Sequence, residues 1–333
     1  MANRDIVAIG TSAGGLAALK RLVAGLPADL DAAVLVVQHL TSDRRSALAD
    51  ILDRAGPLPA GFAEDGAPVV RGRIHVAPPN RHLLLQGDTL QLGHGAWENG
   101  ARPSIDTLFR SVAVCCGPCS IGVVLTGYLD DGSAGLRALR RCGGITVVQD
   151  PADAEYPDMP RSALAATDVD HLAALDDMPG LLAGLVAAPA GPPVAVPADI
   201  RLEVDIMARQ AGDEMAALDR LGERSVFTCP DCGGVMWEVQ DGGALRYRCH
   251  LGHAYSADSF GHAMSGEVVQ GMEVALRTLE ERGRMLRRLG EQAGQQGRER
   301  SARMWSERAE VFGRQAEAIR VALLQIHKAE EAG

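Results

Sequence analysis

Aromatic residues are scarce, only 4% of the 333 positions, too few to furnish a platform for base stacking. Basic charge is also short. Lys and Arg number 33 against 43 Asp and Glu, a formal net charge of −10. That argues against a phosphate backbone as the main partner, although it leaves room for a local basic patch. The start, MANRDIVAIG, has no long apolar run ahead of a cleavage site, so no secretory signal is expected. The one long uncharged stretch, MPGLLAGLVAAPAGPPVAVPA at 178–198, is interrupted by five prolines. It reads as a linker rather than a membrane-inserted helix. Seven cysteines are present but unevenly placed: Cys115, Cys116, Cys119 and Cys142, then Cys229, Cys232 and Cys249. Without an export signal, thiols or metal binding are expected rather than disulfides, and a cytoplasmic location is the default. The remaining balance, 47% hydrophobic and 23% charged, is ordinary for a soluble globular protein with room for a large domain and smaller ones.

What is present begins with alternation. IVAIG (6–10), AVLVVQH (33–39), GRIHVAP (72–78), SIGVVLTG (120–127) and GITVVQD (144–150) are apolar runs of strand length. LAALKRLVAGL, SALADILDRA, IDTLFRSVAV and SAGLRALRRC, between or beside them, have helical spacing. Continuous rather than alternating apolar strands predict an α/β, doubly wound, mostly parallel sheet of Rossmann-like type, covered on both faces. RHLLLQ and DTLQLG (88–93) suggest a hairpin that would make the sheet mixed. The Pro-, Ala- and Gly-rich segment at 178–198 marks a domain boundary. A helical stretch near 200–221 and a cysteine-bearing segment at 226–255 follow. From about 264 apolar residues recur three and four apart, with GQQG (294–297) breaking the run into a helical hairpin.

The stretch GTSAGG (10–15) sits where the first strand should turn into a helix. Unpaired amides and the positive end of a helix dipole point at whatever occupies such a turn, and it lies at the ligand-binding edge of an open α/β sheet. The pattern is neither GxGxxG nor GxxxxGK[ST], and no Lys follows in the turn, which weakens a phosphate-loop or nucleotide-binding reading. Gly10 to Gly14 does fit GxSxG, the pattern of a serine presented on a sharp strand-to-helix turn. A serine needs a base, and the base needs an orienting group. His39 ends the second strand, and Asp131 follows SIGVVLTG in the turn before SAGLRALRR. All three then fall at carboxyl ends of predicted strands, at sequence separations of 27 and 92. Asp130 is a rival to Asp131 that spacing alone cannot separate. A capping histidine and an N-cap aspartate are the plain alternatives. The order Ser, His, Asp is not that of the α/β-hydrolases.

IGTSAGG, VVQHL, RIHVAPPNRHLLL, RPSIDTLFRSVA, VVLTGYLDDGSAGL and AEYPDMPRSA occur in that order over residues 1 to about 180. This region closely resembles the catalytic domain of the CheB-type chemotaxis protein-glutamate methylesterases. The resemblance implies Ser12 as nucleophile, His39 as base and Asp131 as orienting carboxylate, the last favoured over Asp130 by its place before Gly132. It implies a serine hydrolase that demethylates glutamate γ-methyl esters on chemoreceptors, releasing methanol without a cofactor, with glutamine deamidation as a side activity. An amide at the helix start, Ala13 first, would bind the oxyanion. There are two departures. The family's receiver domain precedes its catalytic domain, whereas here the first strand begins at residue 6, so a regulator acting in trans is expected. The family also commonly carries Met where this chain has Tyr128, which puts substrate fit there in question.

The second strong pattern is CPDC…RCHLGH. Cys229 and Cys232 form CxxC, 16 residues intervene, and Cys249 with His253 forms CxxxH. Two close pairs joined by a β-like loop predict a tetrahedral, structural Zn²⁺ site of ribbon type. His250 could replace His253, but adjacent Cys and His can rarely both reach one metal. Cys116-Gly117-Pro118-Cys119 is literally a thioredoxin-type CxxC, yet it follows a helix instead of opening one, so a redox role is not expected. His75 and His82 could line the substrate cleft but read better as packing residues, and Arg102-Pro103-Ser104 reads as a cleft loop or a solvent turn. The expected organisation is a catalytic domain at 1–180, linker and helix at 181–222, a zinc-ribbon-like module at 223–260 and a helical hairpin at 261–333. An apolar stripe on that hairpin could make homo-oligomer contacts. The competing reading is a catalytically silent α/β scaffold whose zinc module and helices bind signalling partners.

Overall fold

The structure is a computed structural model that describes residues 3–39, 46–208 and 212–332. Leu40 of VVQHL and residues 209–211 of the helical stretch fall outside the described residues. The chain forms two compact units, Met1–Phe260 and Gly261–Gly333. The expected boundaries at 180/181 and 222/223 lie inside the first unit, and the boundary at 260/261 coincides with its end.

In chain order the first unit runs β1 (Ile6–Thr11), α1 (Gly15–Gly25), β2 (Ala33–Gln38), α2 (Leu48–Ala55), β3 (Ala60–Phe62), β4 (Ile74–Val76), β5 (His82–Gln86) and β6 (Thr89–Gly93). It continues with α3 (Ile105–Cys116), β7 (Ser120–Val124), α4 (Ser133–Arg141), β8 (Ile145–Gln149), α5 (Asp158–Ala166), β9 (His171–Ala173), α6 (Met178–Ala187), α7 (Ala198–Met207) and α8 (Glu214–Leu221). Strands β10 (Glu223–Thr228), β11 (Val235–Asp241), β12 (Ala244–Cys249) and β13 (Ala254–Ser256) follow.

Seven strands form one sheet in the order β3-β4-β2-β1-β7-β8-β9, and every pairing in it is parallel. The central strands are buried along their whole length, which is why they read as unbroken apolar runs. Successive side chains still point to opposite faces. Val7 and Ile9 join one core with Leu19, Leu22, Leu52 and Leu182. Ile6 and Ala8 join the other with Leu108, Phe109, Leu136 and Met159. The chain leaves β1 toward β2 on one side, while β7 pairs on the other. The β1/β7 boundary is therefore the point where strand order reverses and where ligands bind in such sheets.

The sequence reading needs correction at two places. The hairpin β5–β6 makes a separate two-stranded sheet rather than an antiparallel edge of the main one. The first half of the presumed linker at 178–198 is helix α6, which buries Met178, Leu182 and Val186. Pro179 is tolerated there because it occupies the first turn, where its missing N–H has no helical partner to lose. The other four prolines of the stretch all follow α6.

The cysteine-bearing segment is a four-stranded antiparallel sheet, β10-β11-β12-β13. Trp237 of this sheet is fully buried and shares a small core with Ile206, Ala217 and Leu218 of α7 and α8. Helix α9 (Ala257–Gln295) carries the chain into the second unit, where it pairs with α10 (Glu299–Ala332). The break falls on GQQG, with Gly297 at φ +70°, a left-handed conformation that glycine adopts readily. Among the described residues no helix is long and apolar enough to cross a membrane.

Candidate active site

Ser12 lies in the turn between β1 and α1. Gly14 caps α1 with φ +73°, a value L side chains adopt only under strain. The Ser12 amide donates to the Thr126 carbonyl (3.0 Å), the Gly15 amide to the Ser12 carbonyl (3.0 Å), and the Gln38 side-chain amide to the same carbonyl (2.7 Å). The turn is therefore clamped from β2 and from the β7–α4 loop. Gly127 of that loop packs so closely that a Cβ there would lie 2.8 Å from the Ser12 Cβ.

His39 follows β2, its amide donating to the Thr11 carbonyl (3.2 Å). Its Nδ1 lies 3.1 Å from the Ser12 Oγ and its Nε2 lies 2.7 Å from the Asp131 Oδ2. A carboxylate can only accept, so Nε2 carries the proton and Nδ1 presents its lone pair to the serine hydroxyl. The ring nitrogens are used in the reverse of the trypsin-like arrangement. The proton-transfer logic is unchanged, because either imidazole nitrogen can be the base.

Asp131 is buried and saturated. Its Oδ2 also accepts from the Ile105 amide (2.7 Å). Its Oδ1 accepts from Asn99 Nδ2 (3.1 Å), Ser104 Oγ (3.0 Å) and the Asp106 amide (3.2 Å). Ile105 and Asp106 open α3, so the carboxylate sits on unpaired amides at the positive end of a helix dipole. Burial alone would raise its pKa, but the His39 hydrogen bond and charge and the Ile105 and Asn99 donors outweigh it and hold it at about 2. Asp130 is not in this site. It accepts from Ser259 Oγ (2.6 Å), and burial pushes its pKa up.

Asp106 stands beside Asp131 and accepts from the Gly135 amide (2.6 Å) and Asn99 Nδ2 (3.0 Å). Burial raises its pKa to about 7, and the Asp131 charge pushes the same way. A carboxyl whose folded pKa lies above its unfolded value stabilises the fold in its protonated form. That contribution is complete below about pH 4 and is lost as pH rises to about 7. Between those limits the wild type should lose stability relative to Asp106→Asn. Denaturant titrations of both proteins at pH 5 and pH 7.5 would check this, and a difference that does not change with pH would contradict it.

Tyr128 is exposed on the loop before Asp131, its ring 4.6 Å from that of Tyr156. With the Ser12 and Gly15 amides engaged, those of Ala13 and Gly14 are the turn's candidates for an oxyanion. His75 and His82 are buried packing residues. Val70 N–H donates to His75 Nε2 (3.2 Å), while His82 bridges the Ala96 carbonyl (2.9 Å) and the Ser104 amide (3.2 Å). Arg102 donates to Asn80 Oδ1 and the Gly95 carbonyl, so it shapes the loop leading to Ser104. The CGPC segment lies at the opposite edge of the sheet, where the Cys119 carbonyl accepts from the Asp5 amide (3.0 Å) ahead of β1. Burial raises the Cys116 thiol pKa, the reverse of what a reactive thiol needs.

Sequence reading missed Asn99, Gln38 and Asp106. Only Arg102-Pro103-Ser104, read as a cleft loop or a solvent turn, hinted that this loop approaches the cleft. Asn99 has a left-handed backbone, φ 51°, which asparagine tolerates better than most residues.

A second constellation lies in β10–β13. The Sγ atoms of Cys229, Cys232 and Cys249 and a ring nitrogen of His253 are all within 4.8 Å of one another, a set that could hold a metal ion. His250 instead packs over Gly234, where a Cβ would collide with its ring.

Comparison with known proteins agrees with the α/β region and ends near α6. The sequence profile of the CheB methylesterase family matches residues 7–182. "Protein-glutamate methylesterase/protein-glutamine glutaminase 4" of Myxococcus xanthus is 41% identical over 174 residues, covering 52% of this chain and 49% of that protein. The match thus spans about half of that relative. A putative protein-glutamate methylesterase/protein-glutamine glutaminase of Leptospira interrogans is 38% identical over 175 residues, 52% of this chain and 91% of its own length. Among solved structures, the Thermotoga maritima CheB methylesterase catalytic domain superposes with a TM-score of 0.54 at 30% identity, covering 56% of this chain and all of that one. The chain belongs to the CheB methylesterase family.

Proposed function

We propose that this protein is a serine hydrolase that demethylates glutamate γ-methyl esters on chemoreceptors, releases methanol, and deamidates glutamine side chains at the same centre. The observation that carries the reading is His39 bridging Ser12 Oγ at 3.1 Å and Asp131 Oδ2 at 2.7 Å. The names of its relatives, protein-glutamate methylesterase/protein-glutamine glutaminase, supply the substrate class. A catalytically silent scaffold would have no use for a serine, an imidazole and a saturated carboxylate held in line.

In this reading His39 Nδ1 takes the Ser12 proton as Oγ attacks the ester carbonyl. The Ala13 amide stabilises the oxyanion, and one such donor is worth about 3 kcal/mol of barrier. The imidazolium gives its proton to the departing methoxide, or to the amine when glutamine is the substrate. Water then attacks the acyl-enzyme with His39 again as base. Asp131 keeps the proton on Nε2 and stabilises the cation formed in each step. Tyr128, next to the Gly127 that packs against Ser12, bears on substrate fit. The protein acts in the cytoplasm. The half-exposed apolar residues of the second unit, Met285, Leu289, Val311 and Leu324, offer a surface for self-association.

The test is methanol release from radiolabelled methylated chemoreceptors. Time-dependent release by the purified chain is expected, together with ammonia from receptors carrying glutamine at the same positions. No methanol above the spontaneous rate would reject the assignment.

A further inference from the structure

Residues 223–260 do more than follow the catalytic region; they hold one of its loops. We propose that Cys229, Cys232, Cys249 and His253 form a tetrahedral zinc site, and that the zinc-held strands brace Asn99 and through it the carboxylate of Asp131. The metal would position the triad while standing outside it. The proposal rests on the assignment of Ser12, His39 and Asp131 above.

The donor set fits the ion. Zinc bound at about 2.3 Å to sulfur and about 2.0 Å to nitrogen places tetrahedral ligands about 3.8 Å apart for a sulfur pair and about 3.5 Å apart for sulfur and nitrogen. Cys232 Sγ and Cys249 Sγ are 3.7 Å apart, and His253 Nδ1 is 3.4 Å from Cys249 Sγ and 3.6 Å from Cys229 Sγ. The sulfur separation is far too long for a disulfide. Both ligand pairs sit on tight turns. The Cys229 amide donates to the Gly234 carbonyl and the Gly233 amide returns to the Cys229 carbonyl, each at 2.7 Å. The Cys249 amide donates to the His253 carbonyl (2.8 Å) and the Gly252 amide to the Cys249 carbonyl (2.9 Å). His253 Nε2 faces Asp231 at 3.9 Å, and Asp231 in turn accepts from the Tyr255 hydroxyl. At 3.9 Å this carboxylate is beyond direct hydrogen-bond reach and places negative charge behind the imidazole. Four protein ligands leave no open position, so the ion's chemistry is structural.

The path to the triad is short. β13 begins at Ala254, immediately after His253. The Ala254 amide donates to the Trp97 carbonyl (3.2 Å), and the Asn99 amide donates to the Ala254 carbonyl (2.8 Å). The Ser256 amide donates to Asn99 Oδ1 (3.0 Å), which turns Nδ2 toward Asp131 Oδ1 (3.1 Å) and Asp106 Oδ2 (3.0 Å). Ser259 holds the neighbouring Asp130. Without the metal, the 249–253 turn keeps the pairing of Cys249 with Met236 of β11 but loses its tie to the 229–232 turn, and β13, whose Ala254 and Ser256 fix Asn99, starts directly after it.

The readout is modification of Ser12 by a fluorophosphonate, which requires an activated serine but no methyl ester. The full chain should carry one zinc by atomic absorption, and Cys232→Ser should carry none. Chelator-stripped chain should be labelled 10- to 100-fold more slowly, the order of loss expected when a reacting group shifts by about 1 Å, and added zinc should restore the rate. Zinc-loaded Asn99→Ala should keep its metal and lose the same factor in the limiting rate with its inhibitor affinity unchanged. Stripping that variant should then cost little more. Less than half an equivalent of zinc, iron in its place, a stripped rate within twofold of the loaded one, or a full second loss on stripping Asn99→Ala would each overturn the proposal. Should stripping unfold the chain, loaded Asn99→Ala decides alone: wild-type labelling overturns the brace. An unreactive Ser12 in the loaded chain would sink the brace and the hydrolase together. A reactive Ser12 without methanol release would sink only the methylesterase reading.

Discussion

Ser12→Ala is expected to lower the rate of methanol release at least about 10⁴-fold, and His39→Ala by a similar factor, in each case through kcat with little change in KM. The size follows from the geometry. His39 Nδ1 faces the Ser12 hydroxyl at 3.1 Å, so removing the hydroxyl leaves nothing for the base to activate. Removing the imidazole leaves a hydroxyl whose proton has no acceptor. The two residues act as one unit, and the double variant should be about as slow as either single one. A residual rate above water is expected from the turn amides alone. Asp131→Asn should cost nearly as much, because an amide nitrogen would oppose donors that now converge on the carboxylate. Initial rates on methylated receptor over a concentration series would measure all four. A Ser12→Ala enzyme within tenfold of wild type would remove Ser12 from the chemistry.

Glu203→Gln is expected to destabilise the first unit by about 3–5 kcal/mol, the cost of breaking one side of a buried ion cluster. Glu203 comes from α7 and accepts from Arg246 (2.7 and 2.9 Å) and Arg248 (3.2 Å) of β12. It also faces Arg110 of α3 at 3.7 Å. All four side chains are at least nine-tenths buried. Glu98 is the other carboxylate among these arginines, and Asp241 joins Arg246 to Arg137 of α4. Burial would push the Glu203 pKa up, but the Arg246 and Arg110 charges dominate and hold it far below the ordinary range. Its contribution is therefore present above the unfolded carboxylate pKa and lost only in strong acid, so it is complete at pH 7. Neutralising it leaves guanidinium charge uncompensated out of reach of water. Thermal unfolding at pH 7 should fall by roughly 10 °C for a unit of this size. A shift of under about 2 °C would show that the cluster relaxes without Glu203.

The second expectation also explains why the division of the first 260 residues was hard to see in advance. The cysteine segment reads as a separate module, because composition changes at 178–198 and the CxxC pair begins a new pattern. Yet Arg246 and Arg248, which look like ordinary exposed strand charges in ALRYRC, point into the catalytic region and meet Glu98, Glu203 and Arg110. A charge run gives no local sign that its partners lie more than 40 positions away. The misread at 178–187 has a different cause. Proline density suggested a linker, but only the position of Pro179 in the first turn of α6 matters to the helix, and that depends on where the helix starts.

The amino-acid sequence by itself determined the layered α/β architecture, because fully buried strands must be apolar on both faces and covering helices must be amphipathic. It also determined that Ser12, His39 and Asp131 end up along one edge, because all three follow strands that a parallel sheet must align. The spacing of Cys229, Cys232, Cys249 and His253 is equally local. Spacing alone left Asp130 and Asp131 open, the family resemblance favoured Asp131, and the tertiary structure supplies the physical reason that Asp131 reaches the imidazole. Adjacent residues on one turn face different partners, and the choice is set by the α3 amides on one side and Ser259 on the other. Only the tertiary structure brought Asn99 between the two sites. Its bond to Ser256 spans 157 positions, and no periodicity or motif encodes a contact that long; it depends on the sheet of β10–β13 being anchored to the α/β region by pairs such as Asp241 with Arg137 and Arg246 with Glu98.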